Sequence, residues 1–155
     1  MEGNVVTAER LIPAPPSVIF DLIADASRHP DFDGSGSVKQ VRSGGSEPLG
    51  LGSAFSMSMQ LGVKYTMQNT VIEFEKDRRI TWQVRPPGFV GQFVGGRIWR
   101  YELEPVGDGT RVRESWDISQ DHQRFFFTLG KMSATTKTNM EKSLARIEEL
   151  TTGPG

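Results

Sequence analysis

Between Ser37 and Ser119 the sequence offers strands and turns, and a long helical stripe follows. Apolar and polar residues alternate over 37–43, 53–61, 64–75, 79–85, 95–105 and 110–118, which predicts six strands. The connections "GGSEPLGLG", "LGV", "EKDR", "PPGFVGQFVGG" and "VGDG" are short and built from glycine, proline and charged turn formers. The chain holds 17 glycines in 155 residues, roughly 11% against a usual ~7%, and they cluster between the strand-like runs. Strands joined in this way form an antiparallel meander, and one face of it has to be covered.

The flanking segments supply the cover. Val5 to Ile12 alternates loosely and reads as a first strand. In "IPAPPSVIFDLIAD", Pro15 and Pro16 suit a helix start, and Val18, Ile19, Leu22 and Ile23 form an apolar stripe. A second short helical turn follows before "SRHPDFDGSGS" breaks the run. After Ser119, Leu129, Met132 or Ser133, Thr136, Met140, Leu144, Ile147 and Leu150 recur at spacings of three and four. Only this last helix, expected over about 121–151, is long enough to lie across the sheet. The expected class is α+β: a curved antiparallel sheet around a long C-terminal helix, with two short helices after the first strand. Residues 1–155 are read as a single domain whose tail frays over about 151–155.

Pairing around "VGDG" places Leu103 opposite Val112, Tyr101 opposite Glu114 and Trp99 opposite Trp116, with Arg97 on the same face. Ile80, Trp82 and Val84 form the matching set of one neighbouring strand, and Phe55, Met57, Met59 and Leu61 that of another. Tyr65, Met67 and Asn69 continue it, and their phase against Ile72 and Phe74 calls for a bulge between. A carboxylate at position 114 on this apolar face has to be paired, hydrogen-bonded or protonated. Tyr101 and Arg97 are its candidate partners. A rim position, a structural ion pair, ligand recognition and acid–base chemistry all remain open for Glu114. The methionines are ordinary core or the lining of an adaptable pocket. Beside three tryptophans, as a group, they favour a roomy apolar interior. Phe125, Phe126 and Phe127 are consecutive, so one helix face cannot bury all three.

Composition and motifs close off other chemistries. There are 18 Lys and Arg against 19 Asp and Glu, a formal net charge of −1, with no basic stripe for nucleic acid. No cysteine is present, which excludes disulfides, thiol catalysis and thiolate metal sites. "MEGNVVTAERL" lacks a secretory signal pattern and no run of ~18 apolar residues occurs, so a cytoplasmic protein without stable membrane insertion is expected. His29 and His122 read as surface residues. "DFDGSGSVKQVR" starts like a calcium loop but has Arg42 where a bidentate glutamate is required. "GGSEPLGLG" lacks the lysine of a phosphate loop, and no Gly-x-Ser-x-Gly elbow occurs. No metal site and no cofactor are expected.

"IPAPPSVIFDLIAD", "PLGLGSAF", "VIEFEKDRRITWQV" and "WRYELEPVGDGTRVRESWDIS", with the amphipathic C-terminal helix, resemble the START-like (SRPBCC) superfamily. They are most similar to its polyketide cyclase/dehydrase and lipid-transport branch, over Val5 to Leu150. The resemblance implies a helix-grip fold: a seven-stranded antiparallel sheet gripping the last helix, with a ligand cavity between them. Members often carry an aromatic in the segment that here reads "RHPDF"; His29 or Phe32 stands there. The cavity is expected to be lined by Phe55, Met57, Met59, Met67, Trp82, Trp99, Tyr101, Glu114, Trp116, Phe126, Leu129, Met132 and Met140. Two classes of function follow. One is binding of a hydrophobic small molecule, a lipid, polyketide or isoprenoid-like compound. The other is a cofactor-free cyclase, aromatase or dehydratase in which Glu114, Tyr101 and Arg97 move protons. Either is compatible with a monomer or a homodimer.

Overall fold

A computed structural model describes residues 5–25, 28–32, 38–43, 49–61, 63–85, 96–118 and 132–152. The elements run β1 (Val5–Ile12), α1 (Pro16–Ile23), α2 (His29–Phe32), β2 (Val38–Ser43), β3 (Ala54–Leu61), β4 (Val63–Glu75), β5 (Arg79–Arg85), β6 (Arg97–Val106), β7 (Gly109–Asp117) and α3 (Met132–Thr152). The seven strands form one antiparallel sheet in the order β1-β7-β6-β5-β4-β3-β2. β2 through β7 are therefore a meander, and β1 closes onto β7 at the far edge. α1 and α2 carry the chain from one edge strand to the other.

Local chemistry sets the corners. Gly107 opens the two-residue turn between β6 and β7 at φ +58°, a conformation glycine takes without penalty. Gly109 lies so close to β1 that a Cβ would stand 2.7 Å from the Ile12 carbonyl oxygen. The Thr110 hydroxyl donates to the Ala14 carbonyl at 2.8 Å and fixes the exit of β1. α1 starts after Pro15, whose carbonyl accepts from the Val18 and Ile19 amides. Its buried face is Ile19, Phe20, Leu22 and Ile23. Val18, expected on that face, is 45% exposed. Phe20 takes its place, with its ring edge-on to Phe74 at 5.5 Å.

The bulge in β4 lies at Ile72. Val71 pairs with Trp82 and Glu73 with Thr81, so Ile72 is the extra residue. It restores the phase: Met67, Asn69 and Val71 are buried before it, and Phe74 packs against the core after it.

α3 buries Met140, Ser143, Leu144 and Ile147. Its backbone runs closest to β1, with lesser approaches to β7, α1 and α2. Arg10 of β1 clasps Glu148 of α3 with two hydrogen bonds, at 3.2 and 3.3 Å. The helix continues through Thr151 and Thr152, past the expected stop. Both hydroxyls bond back to the preceding turn, Thr151 to the Ile147 carbonyl and Thr152 to that of Glu148. The first part of the expected helix, before Met132, lies outside the described residues.

Candidate functional site

The concave face of the sheet is laid out in cross-strand rows. One row reads Ala8, Glu114, Tyr101 and Ile80 across β1, β7, β6 and β5. The next reads Val6, Trp116, Trp99, Trp82 and Val71 from β1 to β4. A third brings together Arg97, Val84, Asn69 and Phe55. The expected pairs of Tyr101 with Glu114, Trp99 with Trp116 and Leu103 with Val112 are those of the register.

Glu114 is 2% exposed, between Val112 and Trp116, which are also buried. The smallest side chain of its row, Ala8, flanks it on one side, and Tyr101, itself 3% exposed, flanks it on the other. Glu114 has an interaction partner there, while its Oε1 is buried and accepts no hydrogen bond. Arg97 shares the face and is half-buried, and it too is engaged. It stands four residues from Tyr101 along β6, roughly 13 Å of strand. Tyr101 is therefore the immediate cross-strand neighbour of Glu114, and Arg97 belongs to the third row, beside Val84 and Asn69.

The aromatic side chains of this face fall into two sets, a Trp99–Trp116 pair and a cluster around Trp82. The Trp99 and Trp116 rings lie 6.2 Å apart. Trp82 is tilted against Tyr101 at 5.6 Å and meets Phe55 edge-on at 5.9 Å. Met67 and Met140 are buried in the same core. Phe126 and Leu129 lie outside the described residues, as do the side chains of Met57, Met59 and Met132.

His29 was the residue that sequence reasoning misplaced. It is 3% exposed, not a surface residue. It stacks on Trp82 with centroids 4.9 Å apart and planes 26° from parallel. Phe32 and Phe55 meet it edge-on, each at 5.3 Å. Its Nε2–H donates to the Ile23 carbonyl at 2.8 Å, which satisfies one ring nitrogen inside the protein. Phe32, three residues on, points its ring edge-on toward Tyr101 at 6.5 Å. The signal was the i, i+3 spacing of His29 and Phe32 in "RHPDF", one helical turn whose inner face covers the middle of the sheet. Asn69 is a further buried polar group, 2% exposed, donating from Nδ2 to the Phe55 carbonyl at 3.4 Å.

The convex face is of the opposite character. Glu9 with Arg113, Glu102 with Arg79, and Glu73 with Arg79 pair across neighbouring strands, and Glu73 also reaches Arg100 over the intervening β5. Burial alone would raise the Glu73 carboxyl. The Arg100 and Arg79 guanidiniums outweigh it, and hold the group below the ordinary carboxylate value. Thr81 Oγ1 makes no hydrogen bond of acceptable geometry, so we assign the lowering to the arginines. Among the described residues no cluster of His, Asp and Glu is suited to a metal ion, and no helix is long and apolar enough to cross a membrane.

The antiparallel sheet with a long C-terminal helix against it is the helix-grip arrangement of START-like proteins. Residues 4–151 match the family described as polyketide cyclase/dehydrase and lipid transport, and the chain belongs to that family. It is 26% identical over 144 residues to an uncharacterized protein of Mycobacterium tuberculosis, covering 89% of this chain and 60% of that one. This chain thus spans about three-fifths of that relative. The crystal structure of a Chromobacterium violaceum protein superposes with a TM-score of 0.71 at 15% identity, over 98% of this chain and all of the other. DynU16, a protein of the dynemicin biosynthetic locus, superposes with a TM-score of 0.68 at 17% identity, over 97% of this chain and 48% of its own. At these identities the likeness is one of fold.

Proposed function

We propose that the protein binds a hydrophobic small molecule carrying a polar group, a lipid, polyketide or isoprenoid-like compound, between the concave face and α3. The observation that carries this reading is the Glu114–Tyr101 pair. Both side chains are almost fully buried, and the residues around them on the face, Val112, Trp116, Ile80 and Leu103, are apolar. A fold that needed only a core would fill those positions with apolar groups, since burying a carboxylate is costly. A carboxylate beside a phenol recognises a hydroxyl or carbonyl on an otherwise greasy ligand. Membership of a family that includes lipid transport supports it.

The same pair favours a second reading, cofactor-free cyclisation or dehydration. A carboxylate accepts a proton from an acidic C–H or O–H, and the phenol donates a hydrogen bond to the oxygen that gains charge. The cyclase/dehydrase half of the family description, and the biosynthetic locus of DynU16, support that reading.

Native mass spectrometry of the purified protein, with organic extraction of whatever co-purifies, tests the proposal. An apolar small molecule in stoichiometric amount is the expected result. A protein that carries none, and takes up none from a panel of long-chain alcohols and flat phenols, refutes both readings.

A further inference from the structure

The arrangement over Trp82 goes one step further, and rests on the binding reading. We infer that His29 is a built-in occupant of a ring slot, and that a flat ring of the ligand displaces it. The imidazole lies on the Trp82 indole at 4.9 Å, 26° from parallel. Phe55 closes one side of the slot edge-on to both rings. Phe32 closes another, edge-on to His29 and to Tyr101. One stacked ring with edge-on neighbours is the geometry that aromatic systems prefer, and it is independent of which flat ring lies in it.

Histidine is the replaceable choice for this position. An imidazole has less apolar area to lose than a phenyl or indole ring, and its nitrogens gain water when it leaves. The imidazole is held by its hydrogen bond to the Ile23 carbonyl together with its ring contacts, and a ligand hydroxyl can replace that bond. The backbone of α2 is fastened independently of the ring. Arg146 of α3 donates to the Asp31 carbonyl at 3.1 Å, and the buried Phe32 packs against Tyr101. The side chain can therefore swing out while the helical turn stays. A ring in its place would have Asn69 in the neighbouring row and the Tyr101–Glu114 pair beyond Tyr101's contact with Trp82. Polar substituents on the ring system would meet those groups.

The test uses 2-naphthol as a flat probe and 1-dodecanol as an aliphatic one. Only two histidines occur in the chain, so His122→Ala assigns the His29 imidazole resonances. In the free protein the indole should shift them upfield. Saturating 2-naphthol should return them toward solvent values, while 1-dodecanol leaves them in place. His29→Ala should bind 2-naphthol about two- to tenfold more tightly, and His29→Phe more weakly by a similar factor, as loss or gain of one stacked ring predicts. Binding of 2-naphthol with the His29 resonances unmoved overturns the inference. So does 1-dodecanol binding in a protein that ignores 2-naphthol, an outcome that leaves the binding reading standing. If neither probe binds the native protein or His29→Ala, the binding reading fails and this inference fails with it.

Discussion

Glu114 shows how a residue's surroundings decide between recognition and structure. A charge-assisted hydrogen bond to a ligand hydroxyl contributes ~1 kcal/mol more than a neutral one, and Glu114→Gln keeps the shape while removing the charge. The expected result is roughly five- to tenfold weaker binding of a long-chain alcohol, with the melting temperature nearly unchanged. Had the carboxylate been one half of a purely structural pair, the same change would cost about 3–5 kcal/mol of stability and leave affinity in the folded fraction alone. Calorimetry and ligand titration on this one variant separate the two. On the convex face Glu73 gives a second residue-scale expectation. Its carboxyl titrates lower in the folded protein than in the unfolded chain. Its contribution is therefore complete above the unfolded value and is lost as pH falls through the lower folded value. The side chain is 37% exposed, so solvent screening holds the pair below about 1 kcal/mol. Arg100→Met should lower stability slightly at pH 7 and make no difference near pH 2, measured by urea unfolding at both pH values.

At the scale of elements, α3 is held by a short row of buried side chains, and Leu144 stands at its centre, 1% exposed. Leu144→Ala should cost about 2–5 kcal/mol in chemical denaturation. A loss below about 1 kcal/mol would mean that the helix is not gripped. Arg10 and Glu148, half-exposed at the edge, should contribute no more than ~1 kcal/mol. The elements themselves were legible because alternation is unambiguous where one face is buried. Val112, Glu114, Trp116 and Ile118 had to share a face, and "VGDG" fixed what stood opposite them. The position of the β4 bulge was not legible. Val71 and Ile72 are equally apolar, and only the pairing partners Trp82 and Thr81 decide which one is extra. The second short helix was expected, but the burial of His29 was not legible: its environment is made by Trp82 and Phe55, far away in the chain. Val18 and Phe20 were exchanged for a related reason: two apolar neighbours both fit a helical stripe, and Phe74 chose between them.

At the scale of the whole molecule, the concave face is covered from its two ends. α3 approaches the sheet at β1 and β7, whereas α2 reaches Trp82, Phe55 and Tyr101 on β3, β5 and β6 through His29 and Phe32. The interior is thus walled by side chains from opposite edges, and an occupant that touches both makes them one cooperative body. A ligand that binds only the folded state stabilises it by RT ln(1 + [L]/Kd), about 2.7 kcal/mol at one hundred times Kd. Protein stripped by organic extraction under refolding conditions should unfold in a single urea transition. Adding back its ligand should move the midpoint upward with the slope unchanged, because the same surface is exposed on unfolding. Tryptophan fluorescence, reporting Trp82, Trp99 and Trp116 on the concave face, and far-ultraviolet circular dichroism, reporting α3, should give coincident curves with and without ligand. A midpoint that ignores the ligand would place its binding outside the fold. Curves that separate, with the helix melting before the tryptophans and only the helix responding to ligand, would show that α3 is a detachable cover and not one wall of a common interior.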